Sequence, residues 1–229
     1  MTAGAAPLTV RRASLLAGAR GATGTAVIID VFRAFTTAAF CVAAGAREVV
    51  LVGTPDDAFA LRRTDPSVFL TGEVGGPIEG FDAGNSPSVI VDLDLSGRRV
   101  VQRSSSGTQG VLAATGADHI VLGSYVIASA TCRYLRSRGG PVTLVAMGDG
   151  GDIVNPEDEA CAEYLEALLG GAAADPGPAI AALPQWAKGE WPSWFPRRDA
   201  ELATEVDRFS FALPVTREDG LLVARPFLG

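Results

Sequence analysis

At 229 residues the chain is long enough for one sizeable domain, and its 48% hydrophobic and 20% charged residues are typical of a packed globule. The formal net charge of -7 argues against a non-specific nucleic-acid binder, because such proteins carry an excess of basic residues. No apolar run reaches membrane-spanning length, and residues 1–20 lack a signal-peptide pattern. We therefore expect a cytoplasmic protein with neither a nucleic-acid nor a membrane partner.

Short apolar runs alternate with segments of helical pattern through the first three quarters of the chain. Predicted strands lie at 27–29, 49–52, 68–70, 99–103, 119–123 and 142–147, with 89–91 as a further candidate. Predicted helices lie at 33–45, 54–63, 109–115, 127–137 and 156–169. This alternation predicts a three-layer α/β/α fold with a largely parallel, mixed sheet covered by helices on both faces.

The last quarter of the chain differs in composition. Residues 170–196 are rich in Gly, Pro, Ala and Trp and hold all three tryptophans, so we interpret them as part of a long surface connection. Two strand-like runs further on flank Glu218-Asp219-Gly220, which predicts a hairpin. We expect a single domain, 1–229, with a core at 26–169, a connecting segment at 170–208 and a C-terminal hairpin appendage at 209–229.

Cys41, Cys132 and Cys161 lie far apart in segments with helical periodicity. No CxxC pair or Cys/His cluster suggests a zinc or redox site. We therefore predict buried thiols in a reducing compartment.

Residues 72–87 form a long loop in this scheme. They hold five glycines, two prolines and three acids, a composition that precludes a regular helix or a central strand. One interpretation is a mobile surface loop. The acids favour another, because ligands of α/β proteins bind beyond the carboxyl ends of buried strands.

Carboxylates recur at predicted strand ends and at the starts of the helices that follow. In a parallel sheet these positions share one edge, so distant residues can converge there. Oxygen ligands of this kind suit Mg²⁺, although the pair Glu157-Asp158 also caps a helix. The carboxylates are Asp30, Glu73, Asp82, Asp149, Asp152, Glu157 and Asp158.

Small residues at 104–108 predict a turn whose amides and hydroxyls could hold a phosphate group. A Walker P-loop is excluded, because the required lysine is missing. Arg33 and Arg103 adjoin two of the strand-end turns and are candidates for bidentate contacts to an anion. The alternative for each is an ordinary surface arginine.

Two other hydrolytic chemistries fit the sequence less well. The single histidine, His119, begins a strand and no G-x-S-x-G motif occurs, which argues against a serine hydrolase. The stretch 148–152 is similar to the acidic metal loop of haloacid-dehalogenase-type phosphatases. Their paired aspartate is absent, because Phe32 stands two places after Asp30. A phosphatase of that type and a non-enzymatic anion-binding protein both remain open as alternatives.

Several stretches occur together in a fixed order: VIIDVFRAFTT at 27–37, residues 73–87 with IEGFD and GNSP, the turn 106–108, Gly123-Ser124, and 156–158 followed by Cys161. This combination resembles the 2-phosphosulfolactate phosphatase family, the Mg²⁺-dependent phosphatases associated with coenzyme M biosynthesis. The resemblance covers residues 26–169. It implies hydrolysis of a small anionic 2-phospho-carboxylate, with 2-phosphosulfolactate converted to sulfolactate and phosphate.

Transferred to this sequence, the resemblance implies three sets of site residues. The catalytic set is Asp30, Arg33 and Glu73, with Asp30 either the nucleophile or a metal ligand. The substrate-binding set is Ser105, Ser106, Gly107, Thr108, Asn85 and Ser124, and Arg103 is added to it from its place beside the turn. The Mg²⁺ ligands are Asp30, Glu73, Asp82, Glu157 and Asp158. A homodimer is compatible with this assignment.

The chain departs from the family pattern in places that affect the substrate. Gln109 stands where the family usually has an arginine after Gly-Thr, and the residues before the Glu-Asp pair also differ. We expect Arg103 to supply the lost cation from the strand side of the turn. The reaction class is expected to survive these changes, whereas the substrate can differ.

Overall fold

The computed structural model describes residues 8–182 and 195–229. The strands in this part of the chain are β1 Thr9–Ser14, β2 Thr25–Ile29, β3 Glu48–Leu51, β4 Phe69–Gly72, β5 Arg99–Arg103, β6 His119–Gly123, β7 Pro141–Ala146, β8 Leu213–Glu218 and β9 Leu221–Ala224. The helices are α1 Leu15–Arg20, α2 Ala34–Ala43, α3 Pro55–Thr64, α4 Pro87–Ile90, α5 Gly107–Ala113, α6 Ala128–Arg138, α7 Pro156–Leu169, α8 Gly177–Ala182 and α9 Arg197–Ala203. The strands form one mixed sheet in the order β1-β7-β2-β6-β8-β9-β3-β5-β4.

Strand β2 is buried along its whole length and serves two apolar cores. Ile28 packs in one core with Phe35 of α2. Val27 and Ile29 pack in the other core with residues of α6 and α7. Because successive side chains of a strand point to opposite faces, helices cover both faces of the sheet. The predicted three-layer α/β/α fold is confirmed.

The C-terminal hairpin joins two parallel blocks of strands. Strands β1, β7, β2 and β6 form one parallel block, and β3, β5 and β4 form the other. Strands β8 and β9 pair antiparallel with β6, with β3 and with each other, so the two blocks run in opposite directions. The predicted hairpin is confirmed, but it lies inside the sheet, which corrects its description as an appendage.

Both blocks pack against the same helix, α2. Val49 and Val100 of the second block share a core with Ile28 of the first, and the side chain of Gln102 donates to the carbonyl of Ala34 at 2.7 Å. In a flat sheet the carboxyl ends of oppositely directed blocks would lie at opposite edges. The two carboxyl ends nevertheless meet, because the amide of Gly107, after β5, donates to the carboxylate of Asp30, after β2, so the sheet cannot be flat.

Other predictions of elements need correction. The candidate strand at 89–91 is wrong, because Pro87 takes the first helical position and starts α4. The helix predicted at 109–115 is present but begins earlier, at Gly107. The connecting segment contains α8 and α9, and the three tryptophans assigned to it lie outside the described residues. Strand β1 and helix α1 add to the sheet and its cover before the predicted core begins.

The three cysteines are free and buried, which confirms the prediction of core thiols. No helix within 8–182 or 195–229 is both long enough and apolar enough to cross a membrane.

Candidate active site

A cavity of about 810 Å³ lies where strands of both blocks end. It has the size of a small-molecule site, and its walls come from the turns after β2, β4, β5 and β7 and from the segment before α9. Predicted site residues in its lining are Asp30, Arg33, Glu73, Asn85, Ser105, Ser106 and Glu157. Predicted site residues outside its lining are Asp82, Arg103, Gly107, Thr108, Ser124 and Asp158.

Asp30 lies directly after the interior strand β2, and its side chain is buried. The amide of Ala34 donates to Oδ1 at 2.9 Å, and the amide of Gly107 donates to Oδ2 at 2.8 Å. Burial raises the pKa of Asp30 to about 6, although the two amide hydrogen bonds oppose this shift. The carboxylate is therefore held in a fixed position, and the charge of Arg33 also acts to lower its pKa.

Gly107 is required beside Asp30 because there is no room for a side chain. A Cβ at this position would lie 2.7 Å from Oδ2 of Asp30 and 2.9 Å from the ring of Phe35. The amide of Gly107, predicted to contact the substrate, instead donates to the carboxylate of Asp30.

Two further buried acids lie in the first turn of α7. Burial, followed by repulsion from Asp30, raises the pKa of Glu157 to about 7. Burial also raises the pKa of Asp158 well above its usual value, and the charge of Asp30 adds to the effect. Both oxygens of Asp158 accept amides, from Val31 at 2.7 Å and from Gly148 at 2.9 Å. Glu157 faces the cavity, whereas Asp158 ties the ends of β2 and β7 together.

Glu73 follows β4 and binds the turn after β5. Its carboxylate accepts the amide of Ser105 at 2.5 Å, the hydroxyl of Ser105 at 3.0 Å and the amide of Gly75 at 2.7 Å. Gly72 allows this approach, because a Cβ there would lie 2.3 Å from the carbonyl oxygen of Arg103. Glu73 therefore lines the cavity and also fixes the shape of its wall.

Arg103 does not reach the cavity lining. Its guanidinium donates to the carbonyl of Glu73 at 2.6 Å, to the hydroxyl of Ser105 at 3.0 Å and to the carbonyl of Gly53 at 3.3 Å. Gln109 donates to the same carbonyl of Gly53 at 3.0 Å. The expected direct contact between Arg103 and an anion is not supported by this geometry, because the head group supports the site from behind.

Arg33 lines the cavity and is held by the segment before α9. Its Nη1 donates to Oδ2 of Asp199 at 2.6 Å, and its Cζ lies 4.5 Å from the centre of the Phe195 ring. The Arg33 side chain is 11% exposed and that of Asp199 is fully buried. This arrangement presents a guanidinium to the cavity in a fixed orientation.

The turn at 104–108 uses most of its amides internally. Ser104 and Thr108 exchange amide-to-hydroxyl hydrogen bonds at 2.9 Å, and the amides of Ser105 and Gly107 donate to the two acids described above. Within the described chain, the amide of Ser106 is the member of this turn for which no acceptor is present. The turn that was predicted to bind phosphate thus uses most of its amides to hold the side chains of Asp30 and Glu73.

Two predicted site residues, Asp82 and Ser124, lie outside the cavity and make contacts within the fold. Asp82 forms an ion pair with Arg62 and accepts the amide of Leu70 at 2.7 Å. Ser124 is buried, lies 3.1 Å from the hydroxyl of Thr36 and accepts the amide of Val126 at 3.3 Å. The structure does not bring either side chain to the cavity.

Asp199, Phe195 and Ser86 belong to the site region but were missed by sequence reasoning. Ser86 lines the cavity and its hydroxyl lies 2.9 Å from both carboxylate oxygens of Asp199. Asp199 lies in a stretch without a strand pattern. The one sequence signal for a buried helix there is the apolar pair Leu202-Ala203 that follows Asp199.

The charge of the cavity favours a bound cation. Among the described residues, its lining holds four carboxylates, Asp30, Glu73, Asp149 and Glu157, and one guanidinium. No three His, Cys, Asp or Glu side chains in 8–182 and 195–229 are grouped so as to hold a metal ion alone. Mg²⁺ usually needs only one or two carboxylates, with waters and phosphate oxygens completing its shell. Asp30 and Glu157 fit that role, because a bound cation would offset the repulsion that, together with burial, raises the pKa of Glu157.

The fold and cavity define an α/β protein with an acidic small-molecule site at the carboxyl ends of its strands. The family model described as 2-phosphosulpholactate phosphatase matches residues 13–190, and the chain belongs to this family.

Relatives named "Probable 2-phosphosulfolactate phosphatase" align with much of the chain. A Bacillus subtilis protein is 35% identical over 149 residues, covering 63% of this chain and 64% of the relative. A Deinococcus radiodurans protein is 41% identical, covering 62% of each chain. A Gloeobacter violaceus protein is 34% identical over 167 residues, covering 71% of this chain and 70% of the relative. The first two alignments thus span less than two thirds of those relatives' length.

Proposed function

We propose that this protein is a Mg²⁺-dependent phosphomonoesterase that hydrolyses a small 2-phospho-carboxylate. The best candidate reaction converts 2-phosphosulfolactate to sulfolactate and phosphate, because the family description and the names of the relatives point to that substrate. This reaction would place the protein in coenzyme M biosynthesis, and its free buried cysteines support a cytoplasmic location.

The observation that carries the proposal is the environment of Asp30. A buried carboxylate held by two amides at the end of an interior strand, with its pKa raised to about 6, is typical of a functional residue. Two roles suit it: attack on phosphorus as a nucleophile, or retention of the metal. Both roles use the oxygen lone pairs that the amides of Ala34 and Gly107 leave available.

Asp30 and Glu157 are the residues that would hold Mg²⁺. When bound, the ion would neutralise charge on the transferring phosphoryl oxygens. Glu73 holds Ser105 in place in the cavity wall. Arg33 would donate to oxygens of the phosphoryl or acid group, because its guanidinium faces the cavity.

The test is phosphate release by the purified full chain from three compounds. These are 2-phosphosulfolactate, 2-phosphoglycerate, which lacks the sulfonate, and a neutral-tailed alkyl phosphate, each with Mg²⁺ and with EDTA. We expect Mg²⁺-dependent turnover of the first compound, with slower turnover of the others. Turnover that is unaffected by EDTA would refute the metal, and binding of inorganic phosphate without any turnover would favour an anion-binding protein.

A separate experiment distinguishes a nucleophilic role of Asp30 from a metal-binding role. An aspartyl phosphate trapped by acid and reduced with borohydride leaves homoserine, which mass spectrometry detects at position 30. Homoserine there would show nucleophilic attack, as in haloacid-dehalogenase-type phosphatases. Its absence during active turnover, with a loss of Mg²⁺ affinity in Asp30→Asn, would assign Asp30 to the metal.

A further inference from the structure

Asp199 is a fully buried charge in α9, beyond the stretch matched by the family model. Buried carboxylates persist only when charges or hydrogen-bond donors surround them. Here Oδ2 accepts Nη1 of Arg33 at 2.6 Å, and Oδ1 accepts the amide of Ser88 at 2.9 Å. The hydroxyl of Ser86 lies 2.9 Å from each oxygen. The donors come from the cavity wall or from residues next to it.

Arg33 is held on a second side by the same segment. The ring of Phe195 lies 4.5 Å from Cζ of Arg33, and Phe195 itself lines the cavity. A planar guanidinium that is fixed at one edge by a carboxylate and on one face by a ring has its remaining N–H directions fixed as well. Asp199 thus determines where Arg33 can donate inside the cavity.

We propose that Asp199 is a positioning residue that holds Arg33 in the orientation in which it contacts an anionic substrate. The segment 195–203 then contributes to substrate binding as well as to the cavity wall. The proposal rests on the proposed function only for the anionic nature of the substrate. A purely structural role would instead be to anchor α9 to α4 through Ser86 and Ser88.

Two variants separate these roles. Asp199→Asn keeps the size of the side chain and removes its charge, whereas Asp199→Glu keeps the charge and moves it by one methylene. Positioning predicts that kcat/KM falls about tenfold or more in both, because the guanidinium shifts or loses its charged partner. An anchor needs only acceptor oxygens for Ser86 and Ser88, so a purely structural role predicts that the folded fraction of each variant keeps a kcat/KM near that of the wild type. Asp199→Glu is also the variant to use if Asp199→Asn fails to fold.

The matched control is Asp92→Asn. Asp92 lies 3.8 Å from Arg198, the neighbour of Asp199 on α9, and these two side chains are 72% and 56% exposed. Breaking this pair perturbs the same helix without touching Arg33. We expect kcat/KM to stay within about twofold of the wild type, since exposed ion pairs contribute little.

A second measurement does not depend on turnover. The Nε–H signal of Arg33 in ¹⁵N NMR, assigned by its loss in Arg33→Lys, should exchange slowly in the wild type and broaden or vanish in Asp199→Asn. It should also shift when inorganic phosphate is added to the wild type. If the signal persists unchanged in Asp199→Asn, or if it vanishes while kcat/KM is retained, the positioning role is wrong. A wild type without turnover would sink the proposed function, and the NMR signal would still decide the role of Asp199.

Discussion

Buried acids lie in two regions of this fold and have opposite surroundings. Asp30 and Glu157, near the carboxyl ends of strands, have pKa values raised by burial to about 6 and about 7. Glu48, at the amino end of β3, is also shielded from solvent, and burial acts to raise its pKa too. Hydrogen bonds from Arg99 and Arg225 outweigh burial there, so the pKa of Glu48 is lowered.

The difference shows which acids serve stability and which serve chemistry. Glu48 accepts Arg99 at 2.5 Å and Arg225 at 2.6 Å, so its charge joins β3 to β5 and β9. Asp30 and Glu157 leave part of their charge uncompensated, a local cost that is retained where a site must bind a cation or react. Removing the charge of Asp30 or Glu157 should therefore lower activity, whereas removing the charge of Glu48 should lower stability.

The largest effect is expected for Asp30→Asn. Turnover should fall by about three orders of magnitude, because the site loses either its nucleophile or a metal ligand. The melting temperature should fall by only a few degrees, because the amide nitrogen of Asn replaces one of the two acceptor oxygens and leaves one buried backbone amide without its partner.

The control for this variant is Asp82→Asn, which removes an acid that pairs with Arg62 outside the cavity. It should lower the free energy of unfolding by about 1 kcal/mol and keep its turnover. Equal activity in Asp30→Asn and Asp82→Asn would show that the site has been placed wrongly.

Glu157→Gln should weaken Mg²⁺ binding by about 10- to 100-fold and lower kcat at fixed Mg²⁺. The variant loses one of the two cavity carboxylates proposed to hold the ion. Isothermal titration of the protein with MgCl₂ measures this without any substrate. An unchanged Mg²⁺ affinity would remove Glu157 from the metal site.

Glu48→Gln tests the other region. It should lower the free energy of unfolding by about 1 to 3 kcal/mol in denaturant titrations and leave kcat/KM unchanged. The loss is moderate because the arginines around Glu48 are 28% to 53% exposed and regain water when the acid is removed. If Glu48→Gln lost activity without losing stability, the assignment of Glu48 to stability rather than chemistry would be wrong.

The stability that the charge of Glu48 contributes should depend on pH in a definite direction. The folded-state pKa of Glu48 is lower than the unfolded one, so its contribution is present above the unfolded value of about 4.3 and is lost as the pH falls through the folded value. The gap in unfolding free energy between wild type and Glu48→Gln should therefore shrink as the pH is lowered from 7 to about 3. A gap that widens on acidification would contradict the assigned shift.

The smallest effect concerns Arg103. Because Arg103 supports Glu73 and Ser105 from behind, Arg103→Ala should lower kcat/KM about tenfold on every substrate. If Arg103 instead supplied the lost cation to the substrate, as expected from the sequence, the loss would be larger for anionic 2-phospho-acids than for an alkyl phosphate. The ratio of kcat/KM values on those two substrates decides between the interpretations.

Local features of the fold could be predicted from the sequence because they depend on neighbouring residues. The strand before Asp30 follows from its apolar run, and Thr54 caps α3 through reciprocal hydrogen bonds with Asp57 as its sequence indicates. The glycine-rich loop after β4 likewise places Glu73 at the cavity.

The remaining features depend on contacts between distant segments. The carboxylates were expected to share one edge of a parallel sheet, whereas the site joins the ends of two oppositely directed blocks. The direction in which Arg103 points depends on carbonyls of Glu73 and Gly53, and the burial of Asp199 depends on its contacts with Arg33, Ser86 and Ser88, all of which are distant in the sequence. A one-dimensional pattern carries no information about either.

The central position of the hairpin has a consequence for how the chain folds. Leu222 pairs with Leu51 and Leu213 pairs with Leu122, so the two blocks are joined only after the ribosome has made a segment that follows both in the chain. Such long-range pairings close large loops and slow folding. Until the hairpin inserts, β6 and β3 expose unpaired strand edges, which are templates for pairing with other chains. The nascent protein is therefore most exposed to aggregation at the stage just before its two halves meet.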